Sequence, residues 1–565
     1  MIEIKEISPP QKLSGRSSLL VTFDYNENIV NTVKTFSPAV FNKKNLTWEI
    51  SIIYLSKLLD ALTFYDNIKL SLLKDNEITE ISAHESITEI EISKFNFTPF
   101  KHQVEAINYG LNKNKWLLLD GCGLGKTLEI IGLAETLKRR GLVEHCLIIC
   151  GVNGLKLNWE KEINKYSTES CRVLGKRITR TGSIRYASIN ERAEELKNEI
   201  SEFFIITNIE TLRDSKIIDA ISKSKNKFDL VAVDEIHRAG NASSIQGHNL
   251  LKINSPYKIG ATGTLITNSA LSAFGPLKFT ENDQSTLTNY KSLYCNFGGF
   301  NNSQVVGFKN LDLLRDELEN CSLRRTLDQV KADIPDLQIV FETIEMEDDH
   351  QKFYEAIKQG VREEADKINL NSSNILALTS RLRQATVCPS ILTTNNITAS
   401  KLERCQEIVS EIVSQGEKVV VFSVFKPSLY TLAEMLKEYK PSINTGDIPD
   451  SVISKNVDNF QNDPNEKVFL ASTAKMGTGF TLNSSMYLIF LDMPWTWSEF
   501  DQCFSRVYRV TNTRPAYIRV LGCANTIDER VWEIVNNKKD TSDYLVDGIP
   551  SAAMMNDLKS IIYDL

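Results

Sequence analysis

From Phe95 onward, short apolar runs alternate with stretches whose apolar residues recur at helical spacing. WLLLD, HCLIIC, FFIIT, FDLVAVD and YKIGAT are each the size of one buried strand. That rhythm predicts a parallel sheet with helices on its faces. Between about 270 and 400 it gives way to charged, mostly helical sequence, including NLDLLRDELENCSLRRTLDQV and DDHQKFYEAIKQGVREEADKI. It then resumes with EKVVVFS, KVFLAST, MYLIFLD and AYIRVL. The first 94 residues differ: SLLVTFDYNENIVNTVK and FNKKNLTWEISIIYLSKLLDAL each read as a strand and then a helix. The expected fold class is therefore α/β, with a small α+β module at 1–94 and two parallel-sheet domains. The first spans 95–340 with a helical insertion from about 270 to 340, and the second 341–565 with one from about 341 to 398.

Composition narrows the setting more than the chemistry. A chain of 565 residues, 42% hydrophobic and 24% charged, is of ordinary globular type with room for several domains. The opening MIEIKEISPPQKLSG is not a basic patch followed by an apolar run, so no signal peptide is expected. The best apolar stretch, MYLIFLDM, is strand-sized, so no bilayer span is expected. The compact, Asn/Lys/Ile-rich chain suggests a low-GC bacterium or its phage, with the cytoplasm as the expected place of action. Ten cysteines without a CxxC pair, and six histidines apart from them, argue for reduced thiols and against zinc. A net charge of −7 announces no global field for nucleic acid. Contacts of that kind would fall to local runs such as KRRG at 138–141 and CRVLGKRITRTGSIR at 171–185, whose plainer reading is a solvated face.

The stretch WLLLDGCGLGKTLEIIGLAETLK predicts a strand, a glycine-rich turn and a helix. Gly123 and Gly125 would let backbone N–H groups converge on phosphate oxygens, Lys126 would reach the outer phosphates and Thr127 would ligate Mg²⁺. The general phosphate-loop pattern puts glycine where Asp120 stands. FDLVAVDEIHRAGNASS ends an apolar run in Asp234 and Glu235, a pair suited to the metal's shell and to polarising water. In SEFDQCFSRVYRVTN, Gln502, Arg506 and Arg509 recur at i, i+4 and i+7, so on a helix they share one face. Cations there would neutralise charge on a departing phosphate.

Taken in order, these motifs resemble helicase superfamily two, and further segments resemble its Swi/Snf-type branch. DEIHRAGNASS is similar to DEAHRxKN, keeping Arg238 and Asn241, and IGATGTLITNS to TGTPxxN, keeping Thr262, Gly263, Thr264 and Asn268. LRRTLDQVKADIP, LRQATVCPSIL and LASTAKMGTGFTLNSSMYLIFLDMPW resemble three more elements of that branch, in which the loop reads D-x-x-G-x-G-K-T and Asp120 is ordinary. The departures are Leu265 for a proline, Gly151 for Cys-Pro, Thr511-Asn512 for Gly-Gln, and a missing arginine in NTGDIPDSVISKNVDNF. The N-terminal stretch resembles the HARP-like module of annealing helicases, with Phe23, Tyr25, Phe41 and Trp48 at its aromatic positions.

The resemblance implies two RecA-like domains with ATP and Mg²⁺ between them. Gln103, Gly123, Leu124, Gly125, Lys126, Thr127 and Gly479 would bind nucleotide, Thr127 and Asp234 the metal. Lys126, Glu235, Gln502, Arg506 and Arg509 would carry catalysis. Asn153, Thr207, Asn208, Ser472, Thr473 and Trp495 would contact DNA. The expected activity is ATP-driven translocation on double-stranded or forked DNA by a monomer, with strand annealing or fork remodelling as its outcome. Single-strand-binding and replication proteins are candidate partners. Rival readings are a strand-separating helicase, a nucleotide-locked scaffold without turnover, and the motor of a restriction or anti-phage system.

Overall fold

The computed structural model describes residues 86–537 apart from short segments (152–154, 180–183, 240–243, 264, 266–269, 284, 299–303, 328, 331–334, 368–371, 477–479 and 510). Of the N-terminal part it describes 2–7, 18–23, 26, 29–30, 33–34, 39–51, 58 and 68–71.

Every apolar run of the two α/β blocks forms a parallel strand. The first domain is a seven-stranded sheet in the order Ser322–Leu323, Lys115–Leu118, Tyr257–Ala261, Leu230–Asp234, Cys146–Cys150, Phe204–Asn208, Cys171–Val173. All of its pairings are parallel, and the central strands are buried on both faces, which is why they read as unbroken apolar runs. The second domain is a six-stranded parallel sheet: Leu337–Ile344, Ala516–Cys523, Tyr487–Phe490, Val419–Ser423, Val468–Ser472, Ser442–Asn444. Strand Leu337–Ile344 straddles the expected 340/341 boundary and pairs along its whole length with Ala516–Cys523, so the second sheet takes in chain from 337. In the first sheet, strands Lys115–Leu118 and Leu230–Asp234 lead into residues that line one cavity with residues of the second domain, where an α/β sheet places its ligands.

The insertions are mostly helical, with strands in the first. After the helix Leu311–Cys321 the chain does not stay helical through LRRT. Ser322–Leu323 joins the edge of the first sheet instead, beside Leu117 and Leu118. Residues Cys295–Gly298 and Gln304–Phe308 form an antiparallel hairpin. The second insertion is helical, Asp348–Lys367 and Ser372–Val387. At the N-terminus, strands Ile2–Ile7, Ser18–Phe23, Val40–Asn42, Thr47–Ser51 and Ile68–Ser71 build one five-stranded sheet. Its inward residues Ile4, Leu19, Val21 and Ile50 share one apolar cluster with Phe274, Tyr290, Tyr294 and Leu314 of the first insertion. No helix among the described residues is long and apolar enough to cross a membrane.

Candidate active site

Glycine makes the loop between strand Lys115–Leu118 and helix Lys126–Arg139 possible. Gly123 and Gly125 have φ of 81° and 91°, in the left-handed region that side chains avoid. A Cβ on Gly125 would also stand 2.5 Å from Gln103 Nε2. Gln103 and His102, on helix Lys101–Asn112, grip the loop from behind. Gln103 Nε2 donates to the Leu124 carbonyl (3.3 Å), His102 Nε2 lies 2.9 Å from the same oxygen, and Gln103 Oε1 accepts from Phe100 N–H. Leu124 itself is fully buried and packs into the apolar cluster of the second domain. Lys126 Nζ donates to the carbonyls of Asp120 (2.8 Å) and Gly121 (3.1 Å). Burial works to lower its pKa, but the acidic groups around it, Cys122, Glu235, Asp120 and Asp234, outweigh that and hold it raised.

The acidic pair sits at the end of strand Leu230–Asp234. Trp159 Nε1 donates to Asp234 Oδ2 (2.9 Å) and Glu235 N–H to Asp234 Oδ1 (3.0 Å), which fixes the carboxylate plane. Glu235 has φ of 53°, a strained value for a side-chain-bearing residue. The turn aims its carboxylate at His237, whose Nδ1 lies 3.3 Å from Oε2, and at Thr262, whose hydroxyl donates to the same oxygen at 3.3 Å. Burial and the neighbouring Glu235 charge push the Asp234 pKa up to about 6. For Glu235, burial is overcome by the His237 hydrogen bond and by the charges of His237, Lys126 and Arg506, leaving it lowered to about 2. Gly151 fits here too: a Cβ would stand 2.6 Å from Glu235 Cβ, so the side chain of the family's usual cysteine has no room.

The second domain supplies the arginines, though not from a helix face. Helix Trp497–Phe504 ends before them, and the Arg506, Val507 and Tyr508 amides bond back to Cys503 and Phe504 in tight turns. This corrects the expected i, i+4, i+7 stripe. Arg506 and Arg509 reach a cavity of about 620 Å³ that also exposes Gly123, Lys126, Thr127, Asp234 and Glu235, whereas Gln502 is not among its lining residues. Burial, reinforced by the Arg506 charge, lowers the Arg509 pKa to about 10. Asn512, one of the departures from the family pattern, staples this turn: its amide donates to Val507 O (2.9 Å) and its oxygen accepts from Arg509 N–H (3.3 Å). Across the cleft, Lys161 and Asp458 form an ion pair at 2.7 Å.

Other expected site residues lie elsewhere. Asn153 and Gly479 fall outside the described residues, as do Tyr25, Asn241, Thr264 and Asn268. Thr207, Asn208, Ser472 and Thr473 are buried, and the Asn208 oxygen accepts from the Thr211 hydroxyl at 2.7 Å. Their side chains are thus turned into the protein. Trp495 packs under the guanidinium of Arg383, 4.3 Å from its ring centre. The run at 171–185 is largely neutralised: Arg172 pairs with Glu202, Lys176 with Glu160 and Arg177 with Glu195. Sequence reasoning missed Arg325. Its guanidinium pairs with Asp120 and Glu129 under the phosphate loop.

Residues 83–391 match the model of the SNF2-related domain, and residues 400–511 that of the helicase conserved C-terminal domain. The chain belongs to the SNF2-related family. An uncharacterized ATP-dependent helicase of Mycoplasma pneumoniae is 26% identical over 513 residues, covering 89% of this SNF2-related chain and 46% of the relative. The Zorya protein ZorD of Escherichia coli is 22% identical, over 71% of the chain and 39% of the relative. The DNA annealing helicase and endonuclease ZRANB3 of Bos taurus is 24% identical, over 79% and 40%. The chain spans less than half the length of each of these relatives.

Proposed function

We propose that this chain is an ATP-driven motor on double-stranded DNA, a translocase or remodeller that hydrolyses ATP between its two sheet domains. One observation carries the reading: Lys126 and Glu235 of the first domain and Arg506 and Arg509 of the second line a single cavity. A triphosphate bridging them would be held by loop N–H groups and Lys126, with the arginines against its outer phosphate. Thr127 and Asp234 line the same cavity and fit Mg²⁺, because this ion takes few protein ligands beside phosphate oxygens. Bound there, it would neutralise charge between the outer phosphates. Glu235, ionised and aimed by Thr262 and His237, orients the attacking water. Because the catalytic set is divided, hydrolysis requires the domains to be closed, and loss of the outer phosphate releases the arginines.

Action at forks or in strand annealing is supported by the N-terminal sheet and by the name of ZRANB3. Phe41 and Trp48 lie with ring centres 5.0 Å apart at the sheet edge, beside exposed Lys43 and Lys44, a surface on which unpaired bases could stack. The test is ATP turnover with no nucleic acid, single strand, duplex and forked duplex. Stimulation by duplex or fork is expected, and equal stimulation by RNA would remove the DNA assignment. Release of single strands from the fork would replace translocation by strand separation. Glu235→Gln should bind ATP while losing about 100-fold or more in turnover, and Arg506→Ala about 1,000-fold.

A further inference from the structure

We propose that Arg325 is a positioning residue for the phosphate loop, fastening the end of the first helical insertion to Asp120 and so holding the loop ready for nucleotide. This rests on the reading of the cleft as an ATP site.

The two residues are 205 positions apart, yet Arg325 meets the Asp120 carboxylate through three groups. Its backbone N–H donates to Oδ1 (2.9 Å), its Nε to both oxygens (3.1 Å each), and its Nη2 to Oδ2 (2.5 Å). Nη2 also donates to Glu129 Oε1 (3.0 Å), on the helix that leaves the loop, and Nη1 to the His102 carbonyl, on the helix behind it. One planar guanidinium therefore ties together the strand end, the helix after the loop and the helix that grips the Leu124 carbonyl. The backbone repeats the bond. Leu119 N–H donates to Leu323 O and Gly121 N–H to Arg325 O, both at 2.8 Å. Residues 119–121 are thus paired as if the sheet ran on past Leu118.

The loop needs such an anchor. Two of its residues are glycines at positive φ, which are costly to hold in one conformation, while its N–H groups must converge on one anion. Lys126 Nζ is hydrogen-bonded to the carbonyls of Asp120 and Gly121, the residues Arg325 clamps, so the clamp also sets where the lysine starts. Arg325 is not among the residues lining the cavity, and its action on nucleotide is through the loop. An aspartate at 120 then has a physical reason: glycine there would offer the guanidinium nothing to hold. A lysine cannot replace the fork, because it offers one point charge where three directions are used.

Arg325→Lys keeps the charge and removes the fork. The full chain would be compared with wild type by the dissociation constant of a fluorescent ATP analogue, KM and kcat for ATP, and amide exchange of residues 119–127. The expected result is a rise of about threefold or more in the dissociation constant and KM, with a smaller change in kcat. Exchange should quicken in 119–127 while strands Cys146–Cys150 and Phe204–Asn208 stay protected. A rise below about threefold, or a loss of protection spread over the whole sheet, overturns the proposal. Should Arg325→Lys not fold, the isosteric Asp120→Asn decides by the same readouts and the same limits. Lys126→Ala separates the two readings. If wild type binds the analogue and Lys126→Ala does not, the ATP site stands whatever the Arg325 variants do. If wild type binds none, the cleft is misread and the proposal falls with it.

Discussion

Each sheet domain buries an aspartate–arginine pair just past the end of a strand, and the pairs serve different ends. In both, a strand runs on through Leu-Asp: Leu119-Asp120 after Lys115–Leu118, and Leu491-Asp492 after Tyr487–Phe490. In both, the arginine comes from a helical insertion, Arg325 just after the helix Leu311–Cys321 and Arg383 within the helix Ser372–Val387. Asp120 is spent almost wholly on its arginine. Asp492 divides itself among Arg383 Nη2 (3.3 Å), the Ser423 hydroxyl (2.5 Å) and the Val424 N–H (3.1 Å). Arg383 in turn lies over the rings of Trp495 (4.3 Å) and Phe425 (5.6 Å) and donates to the Met493 carbonyl. The chain after Asp120 becomes the phosphate loop, while the chain after Asp492 becomes a packed Pro-Trp turn. One arrangement bolts an insertion to its sheet in both domains, and only the first bolt lies under chemistry.

That difference can be broken experimentally. The largest expected effect is from Arg383→Met, which leaves Asp492 buried without its cation and should cost about 3–5 kcal/mol. Denaturant unfolding measures it, and a cost below about 1 kcal/mol would show that the second pair is no bolt. ATP affinity should change far less than in Arg325→Lys; an equal loss would erase the contrast. Trp495→Ala removes the ring beneath the guanidinium and should cost about 2 kcal/mol. A cycle with Arg383→Met should show that the two losses do not add, whereas additive losses would mean that ring and guanidinium act independently.

Lys156 shows what burial does to a cation set against a ring. Its Nζ lies 3.9 Å from the Tyr186 ring centre, and burial, with the Arg192 charge, lowers its pKa to about 8. The unfolded lysine titrates near 10.4. Below about 8 both states are charged and the fold carries the cost of the buried cation; between about 8 and 10.4 the unfolded state binds more protons and stability rises with pH. Lys156→Met should therefore stabilise the chain at pH 7, by a margin that shrinks toward pH 10. A margin that is flat with pH would mean that packing alone is responsible. The smallest effect belongs to Lys161 and Asp458, each 53% exposed. A double-mutant cycle should give at most about 1 kcal/mol, fading at high salt. A larger coupling would mean that the domains latch without nucleotide.

The sequence disclosed what is local. A strand, two glycines and Lys-Thr spell the loop because left-handed φ and a helix start are properties of neighbours, and Asp234-Glu235 ends a strand for similar reasons. Nothing local reveals that Arg325 lies under Asp120, since that contact closes 205 residues of chain. LRRT read as helix because its charges continue the pattern of the helix before it. The arginine stripe failed at Phe504, where the chain tightens into turns and two arginines reach the cleft without the glutamine. Thr207 and Ser472 close strands, but polarity could not show that their side chains are buried.

The contacts of Lys126 have a consequence for how quickly nucleotide can come and go. Two of its three N–H donors are already taken by the Asp120 and Gly121 carbonyls, so an arriving phosphate that draws on those two exchanges partners. Binding through those two donors yields only the difference between two good hydrogen-bond sets. A receptor that keeps its own shape spends little on ordering, and it also holds its guest less tenaciously. In the proposed motor, spent nucleotide would leave on every cycle, and a lysine with somewhere to return to would shorten the dwell of the product.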